Sequence, residues 1–133
     1  VNTSSLLVLG SDARYLPSLR KAFSGYKFKF DKILCDVPCS GDGTLRKGQI
    51  VWKKWRLREG LTIHSLQKRI LLRGLQLLRP NGVLCYSTCS LNPLENEAVV
   101  AAALSYFGTD NVTLLPVAFP PPQPKKGGGG GGG

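Results

Sequence analysis

The chain of 133 residues opens without methionine and nowhere strings together 18 apolar residues. A helix that crosses a bilayer needs about that many, so none is expected. The opening Val1-Asn2-Thr3-Ser4-Ser5 lacks the basic-then-apolar order of a secretory signal. A place in the nucleus or cytoplasm, not secretion, is therefore expected, and the chain reads as part of a longer product. No internal repeat is visible. Acidic residues are scarce, eight against eighteen Lys and Arg, for a formal charge of +10. Hydrophobic residues make up 42% of the chain, enough for one small domain with a core and against global disorder.

The excess charge is concentrated. Residues 46–79 hold ten Lys and Arg against Glu59 alone, whereas residues 80–124 hold three acids and no Lys or Arg. A basic block of this density is an electrostatic footprint for a polyanion. Trp52 and Trp55 lie inside it, where they could stack on bases or riboses. The same block also fits a solvated helix face with two core tryptophans. Its candidates for phosphate contact are Arg46, Lys47, Lys53, Lys54, Arg56 and Arg58, with Lys68, Arg69 and Arg73 assigned to a helix face turned elsewhere. Residues 120–133 run from a proline cluster through Lys125 and Lys126 into seven glycines. Proline removes backbone donors and glycine maximises chain entropy. This tail is expected to be disordered, leaving residues 1–119 as the domain.

Local patterning predicts alternating strands and helices. Ser5–Leu9 and Phe30–Val37 read as strands, the second stopped by Pro38. Trp52–Glu59 reads as a short helix ended by Gly60. Ile63–Arg79 reads as the longest helix, capped by Thr62 and closed by Pro80, with Ile63, Leu66, Ile70, Gly74, Leu77 and Leu78 on one face. Asn81-Gly82 turns the chain into a strand, Val83–Cys89. Asn92-Pro93-Leu94-Glu95 reads as a helix start, with Asn92 the cap and Glu95 its capping-box partner. That helix runs to about Phe107 and meets Gly108. Val112–Phe119 reads as a last strand. The alternation implies parallel pairing through right-handed crossovers, an α/β sheet layered by helices.

Ligands of such sheets bind beyond the carboxyl ends of the strands. Two segments stand there: Asp36-Val37-Pro38-Cys39-Ser40-Gly41-Asp42-Gly43-Thr44 and Cys89-Ser90-Leu91-Asn92-Pro93. The helix between them is the crossover, so their strands are expected to be neighbours and Cys39 to face Cys89. Four cysteines in two C-x3-C pairs, Cys35 with Cys39 and Cys85 with Cys89, suggest zinc at first sight. Residues four apart on an extended strand lie ~13 Å apart, too far for zinc–thiolate bonds of ~2.3 Å, so no metal is expected. A structural disulfide does not suit a reducing compartment. Burial as small hydrophobes suits Cys35 and Cys85 in mid-strand. It suits Cys39 and Cys89 poorly, because both lie in polar turns at the rim.

The segments D-V-P-C-S-G-D-G-T-L-R-K (36–47) and Y-S-T-C-S-L-N-P-L-E-N-E-A-V-V (86–100) closely resemble the Sun-family (RsmB/Nop-type) RNA cytosine-5 methyltransferases. The S-G-D-G-T form, with V-W-K-K-W downstream, looks most like the eukaryotic tRNA-modifying branch. The resemblance runs from about Ser11 to Leu104. It implies an α/β, Rossmann-like, S-adenosylmethionine-dependent methyltransferase sheet with helices on both faces, truncated at its N-terminus. It implies RNA, foremost tRNA, as partner, and neither membrane nor metal.

The chemistry implied by the resemblance needs these residue types. Cytosine C5 is a poor nucleophile. A thiolate added at C6 makes the ring enamine-like and able to attack a sulfonium methyl; C5 then loses its proton and the thiol departs. Thiolate is both a strong nucleophile and a good leaving group. By resemblance, Cys89 is the nucleophile and Cys39 assists release of the methylated product. Asp36 would lie beside cofactor and base, where a carboxylate can hold the N4/N3 edge of cytosine. Asp12, within Gly10-Ser11-Asp12-Ala13, matches the family's acid that contacts the adenine of S-adenosylmethionine; a turn-forming Asp is an equal reading. Thr88 and Ser90 either orient Cys89 or serve as loop hydroxyls.

Two family features are missing from the sequence: the glycine-rich cofactor loop with its neighbouring Lys, and the acidic ribose-binding position. The strands that carry them would lie between the first strand here and the second. Only Phe30–Val37 and Val83–Cys89 are expected to stay adjacent, with exposed edges beside them. Lys47-Gly48-Gln49-Ile50 departs from the family's usual polar tetrad. The rival to an enzyme is a non-catalytic RNA-binding piece that keeps the basic helix and the rim without the cofactor pocket. A DNA cytosine methyltransferase would assign the nucleophile to Cys39; the T-C-S motif and its N-P-x-E-N-E continuation speak against it. An adenine N6 enzyme would want an aromatic where Cys39 stands.

Overall fold

The computed structural model describes residues 8–18, 25–47 and 57–117, with side chains of 45–47 and 57–60 left aside. Strand β1 (Phe30–Asp36) leads through a 3₁₀ segment (Asp42–Lys47) to helix α1 (Leu57–Leu77), strand β2 (Leu78–Ser87) and helix α2 (Glu97–Phe107). A 3₁₀ turn (Ala13–Tyr15) precedes them. β1 and β2 pair in parallel, Ile33 opposite Leu84 and Asp36 opposite Ser87. This is the adjacent pair that the sequence pattern predicts, with α1 as its crossover.

Alternation along the strands decides which face is covered. Cys35 is 7% exposed and Leu34, its neighbour, 68%. The covered face carries Ile33, Cys35 and Leu84, and α1 lies on it. Gly74 permits that approach, since a Cβ there would sit 2.9 Å from both Cys35 Sγ and Leu84 Cδ1. Helix α2 packs on α1: Leu71, Val99 and Ala103 form the buried core, with Leu72, Leu75, Leu84, Tyr86 and Val100 against it. Helices were expected on both faces. Among the described residues they cover one, and Leu34 and Val83 stay exposed on the other.

Several boundaries differ from the expectations. Of Ser5–Leu9, residues 5–7 lie outside the described residues, and Val8 and Leu9 form no strand. Gly60 does not end a helix, nor does Thr62 start one: α1 runs through both. An interior glycine costs only about 1 kcal/mol, less than the packing of a long amphipathic helix returns. The Trp52–Arg56 part of the shorter helix lies outside the described residues. At its other end α1 stops at Leu77, not Arg79, because Pro80 drives Arg79 toward extended backbone and Leu78 already pairs with Phe30. β2 therefore starts five residues earlier than Val83. Arg79–Gly82 then loop out against Asp31 alone, between the pairs Phe30–Leu78 and Lys32–Val83. Asn81 takes φ +60° there, the left-handed geometry for which an Asn-Gly turn is suited. β2 ends at Ser87, so Cys89 is not in the strand.

The capping box is also revised. Asn92 Oδ1 accepts the Leu94 N–H at 3.0 Å, as a cap would. Pro93–Asn96 nevertheless form a turn, and α2 begins at Glu97. The Glu95 side chain does not reach back to Asn92; it is fully buried. At the far end the expectation stands: α2 ends at Phe107, and Gly108, at φ +82°, donates its N–H to Leu104 O at 2.8 Å. Residues 112–117 form no strand. Leu114, Leu115 and Val117 are 64–74% exposed, with no neighbouring strand among the described residues to pair or cover them. The remainder of that segment and the Pro/Gly tail lie outside the described residues.

Candidate active site at the strand ends

Parallel pairing carries both chains out of the sheet at the same rim. Val37 N–H still donates to Ser87 O at 3.1 Å, after which the two backbones leave as loops. Cys39 comes three residues after Asp36 and Cys89 two residues after Ser87. Their Sγ atoms meet at 2.9 Å, and Cys89 N–H points at Cys39 Sγ at 3.3 Å. The facing cysteines expected from sequence are thus in contact. Cys35 is buried below them and Cys85 is exposed. The mid-strand burial expected of Cys85 fails because it points to the uncovered face.

The loops are joined along their length. Gly43 N–H donates to Cys89 O at 3.1 Å, and Leu91 N–H to Asp42 Oδ1 at 2.8 Å. The Ser40 and Ser90 hydroxyls lie 3.4 Å apart. Behind Cys89, Thr88 Oγ1 donates to Asn96 Oδ1 at 2.7 Å and accepts the Ser90 N–H at 3.2 Å. Asn96 Nδ2 donates to Ser90 O at 2.9 Å. Thr88 and Ser90 are therefore parts of the scaffold beneath the thiol. Their hydroxyls fix the loop.

Electrostatics around Cys89 favour its neutral form. Contact with the Cys39 thiol pushes its titration up, followed by burial and by the negative charge of Asp36. Asp36 itself is exposed at the end of β1. Cys35 is pushed up to about 11, chiefly by burial, which makes it an inert thiol at neutral pH.

Asp12 stands apart from this centre. Its carboxylate accepts Arg14 N–H at 2.9 Å and binds the Arg14 guanidinium at 2.6 Å. Those contacts hold its carboxyl down to about 2. It caps the 3₁₀ turn, which is the turn-forming reading. Arg69 donates to Tyr15 Oη at 2.9 Å, and Arg73 to Leu16 O at 2.8 Å. Both cations thus contact this turn, and Arg73 also lines the groove that Cys35 and Asp36 line. That groove, of about 340 Å³, runs between the turn, the free edge of β1 and α1. Leu16, Ile33, Leu34 and Ile70 give it an apolar lining, and Ala13 and Asp36 border it.

Of the six basic candidates, Arg46 and Lys47 lie on the 3₁₀ segment just past the Cys39 loop, and Arg58 lies in the first turn of α1. Their side chains, and Lys53, Lys54 and Arg56 entirely, lie outside the described residues. Sequence reasoning missed one buried polar pair behind the Cys39 loop. Gln67 and Glu95, both 0% exposed, hydrogen bond to each other and to the Cys39 loop. The available signal was a polar Gln67 in the apolar stripe with Leu71 and Gly74.

Comparison with known proteins places this arrangement. A family profile described as 16S rRNA methyltransferase RsmB/F matches residues 1–130. The multisite-specific tRNA:(cytosine-C(5))-methyltransferase of Saccharomyces cerevisiae is 54% identical over 119 residues, 86% of this chain and 17% of that protein. The tRNA (cytosine(34)-C(5))-methyltransferase of Drosophila melanogaster is 52% identical over 103 residues, 75% of this chain and 14% of that protein. The chain thus spans about a sixth of the length of these relatives. A methyltransferase homologue from Pyrococcus horikoshii, known from its crystal structure, superposes with a TM-score of 0.51 at 44% identity, covering 60% of this chain and 24% of that one. The paired strands, the crossover and the two cysteine loops are those of a Rossmann-like methyltransferase sheet, and the chain belongs to the RsmB/F methyltransferase family.

Proposed function

We propose that this chain carries the catalytic rim of an RNA cytosine-5 methyltransferase that acts on tRNA. The observation that carries the proposal is the contact of Cys39 and Cys89 at 2.9 Å beyond the ends of two paired parallel strands. A base seated there meets two thiols and a carboxylate. Cys89, the exposed one, gives its Sγ proton to solvent and adds the thiolate to C6 of cytosine, and the new C–S bond pushes electrons toward C5. After C5 takes the methyl group, a base takes its proton, and the electron pair left behind re-forms the C5–C6 double bond as the C–S bond breaks and the thiolate leaves. Cys39 sits where it can assist that departure. The Asp36 charge opposes formation of the Cys89 thiolate. Pairing that carboxylate with the N4 amino group of the base withdraws the charge from the thiol as substrate seats.

The residues present fit the adenosine side of S-adenosylmethionine, which would supply the methyl group as a sulfonium. The apolar groove suits a flat ring, and Asp36 at its border offers an acceptor. Asp12 would contact the adenine only in competition with Arg14. The basic block, with Arg46, Lys47, Lys53, Lys54, Arg56 and Arg58, supports phosphate contact by its charge. The density of Lys and Arg in residues 46–79 also supports a second reading, an RNA-binding piece without methyl transfer of its own.

A graft tests the first reading. In the S. cerevisiae relative with residues 1–119 of this chain in place of its own segment, Cys89→Ala is expected to abolish 5-methylcytosine formation. Cys39→Ala is expected to accumulate a denaturant-resistant RNA–protein complex, because attack proceeds while release fails. Trapping by Cys89→Ala in place of Cys39→Ala would reverse the roles.

A further inference from the structure

We propose that Gln67 and Glu95 form a buried positioning pair that holds Cys39 against Cys89. Its meaning for catalysis rests on the methyltransferase reading above; its geometry does not. Cys39 is bracketed on both sides by this pair. The carbonyl of Pro38, the residue before it, accepts from Gln67 Nε2 at 3.0 Å. The N–H of Ser40, the residue after it, donates to Glu95 Oε2 at 2.9 Å. Gln67 Nε2 also donates to that same oxygen at 3.1 Å, so the two brackets meet. Gln67 comes from α1 and Glu95 from the turn before α2. Glu95 is further tied to the strand and turn that flank Cys89. Its carbonyl accepts from Tyr86 Oη at 2.6 Å, and its N–H donates to Asn92 O at 3.0 Å. Moving Cys39 away from Cys89 means breaking bonds to a fully buried pair.

A purely structural role accounts for less. A buried carboxylate carries a large desolvation cost, and apolar residues of similar volume are often as good for stability. Gln67 Oε1 and Glu95 Oε1 are buried without a hydrogen-bond partner, so the pair is not arranged to satisfy itself. The atoms it does use are aimed at the two residues that flank Cys39.

Cys89 supplies the readout, since contact with Cys39 is the foremost influence on its titration, with the Asp36 carboxylate acting in the same direction. Asp42, the other acid of the facing loop, is held on the Leu91 N–H. The rate of iodoacetamide alkylation of Cys89, followed across pH by peptide mass spectrometry on the 133-residue chain, gives a midpoint. Loosening Cys39 lowers it. Glu95→Ala and Gln67→Leu are expected to speed Cys89 alkylation near pH 8 about threefold, half a unit in midpoint. Glu95→Gln, which keeps an oxygen for Ser40, is expected to shift it less. In a Cys39→Ala background none of the three should add a shift. An unchanged midpoint in folded variants, or a shift that persists beside Cys39→Ala, overturns the proposal. If the variants do not fold, the unmodified chain decides. Slow hydrogen exchange of the Ser40 amide, comparable to β1, is expected, and exchange at the rate of an exposed loop overturns the proposal. None of these measurements needs RNA or methyl transfer, so their failure leaves the methyltransferase reading untouched, and the RNA-adduct assay can fail without affecting them.

Discussion

Gly43→Ala probes the contact that joins the two cysteine loops. A Cβ at position 43 would lie 2.7 Å from Cys89 O and 3.3 Å from Cys89 C. Ordinary carbon–oxygen contact needs about half an ångström more, so the loops have to part. Overpacking of this kind costs about 1–3 kcal/mol. If the Gly43–Cys89 hydrogen bond breaks as well, about 0.5–1.5 kcal/mol is added. Any Gly→Ala change also stabilises by about 0.4–1 kcal/mol through the unfolded chain. Gly10→Ala isolates that last effect, because no atom lies within 4 Å of its added Cβ and its φ is not positive. With that hydrogen bond lost, the two variants should therefore differ by about 1.5–4.5 kcal/mol. Gly43 is exposed, so the loops can part into solvent and the lower half of the range is expected. Thermal unfolding by circular dichroism reads the difference. At about 4 °C per kcal/mol for a domain of roughly 119 residues, Gly43→Ala should melt at least 6 °C, as a rough floor, below Gly10→Ala. Coincident transitions would refute the reasoning and would mean that the loops are not in contact in solution.

Other outcomes follow from the same geometry. Mild oxidation with hydrogen peroxide should join Cys39 to Cys89 with loss of two hydrogens, leaving Cys35 and Cys85 as thiols by peptide mapping; a bridge involving Cys85 would contradict the placement of the four cysteines. RNA affinity should fall with salt, each phosphate contact adding roughly 0.7–0.9 to the slope of log K against log salt. Neutralising Arg46, Lys47, Lys53, Lys54, Arg56 and Arg58 together should flatten that slope, and an unchanged slope would make the block a solubilising surface. Residues 1–133 alone should show no S-adenosylmethionine binding by titration calorimetry, because the sequence offers neither the glycine loop nor the ribose acid. Each missing polar contact is worth roughly 0.5–1.5 kcal/mol, and a micromolar dissociation constant would sink this expectation.

The site was legible in the sequence where local signals and topology agreed. Two motifs flank one crossover, and parallel pairing carries both to the same rim, so the sequence alone brings Cys39 and Cys89 together. Element ends were less legible. Gly60 and Thr62 look like punctuation, but a long apolar stripe overrides the small local cost. Val112–Phe119 has the composition of a strand, yet a strand exists only beside a partner, and residues 112–117 have none among the described residues. Gln67 and Glu95 escaped because hydrophobic periodicity passes over polar residues. Gln67 looks like a flaw in the stripe until its partner, 28 residues away, is known.

The four residues Arg79–Gly82 that loop out opposite Asp31 make the two ends of the β1–β2 pair unequal in tolerance to changes of length. At the amino end, an insertion or deletion between α1 and β2 enlarges or shrinks an excursion that already exists, and the register from Lys32–Val83 onward is left in place. At the carboxyl end there is no such slack. One residue of slip is a displacement of about 3.3 Å along the strand, longer than the whole distance between the two sulfurs. Length variation among related chains should therefore collect around Arg79–Gly82 and be absent between Asp36 and Cys39 and between Ser87 and Cys89, so that the excursion acts as a tuning gap for a spacing set elsewhere.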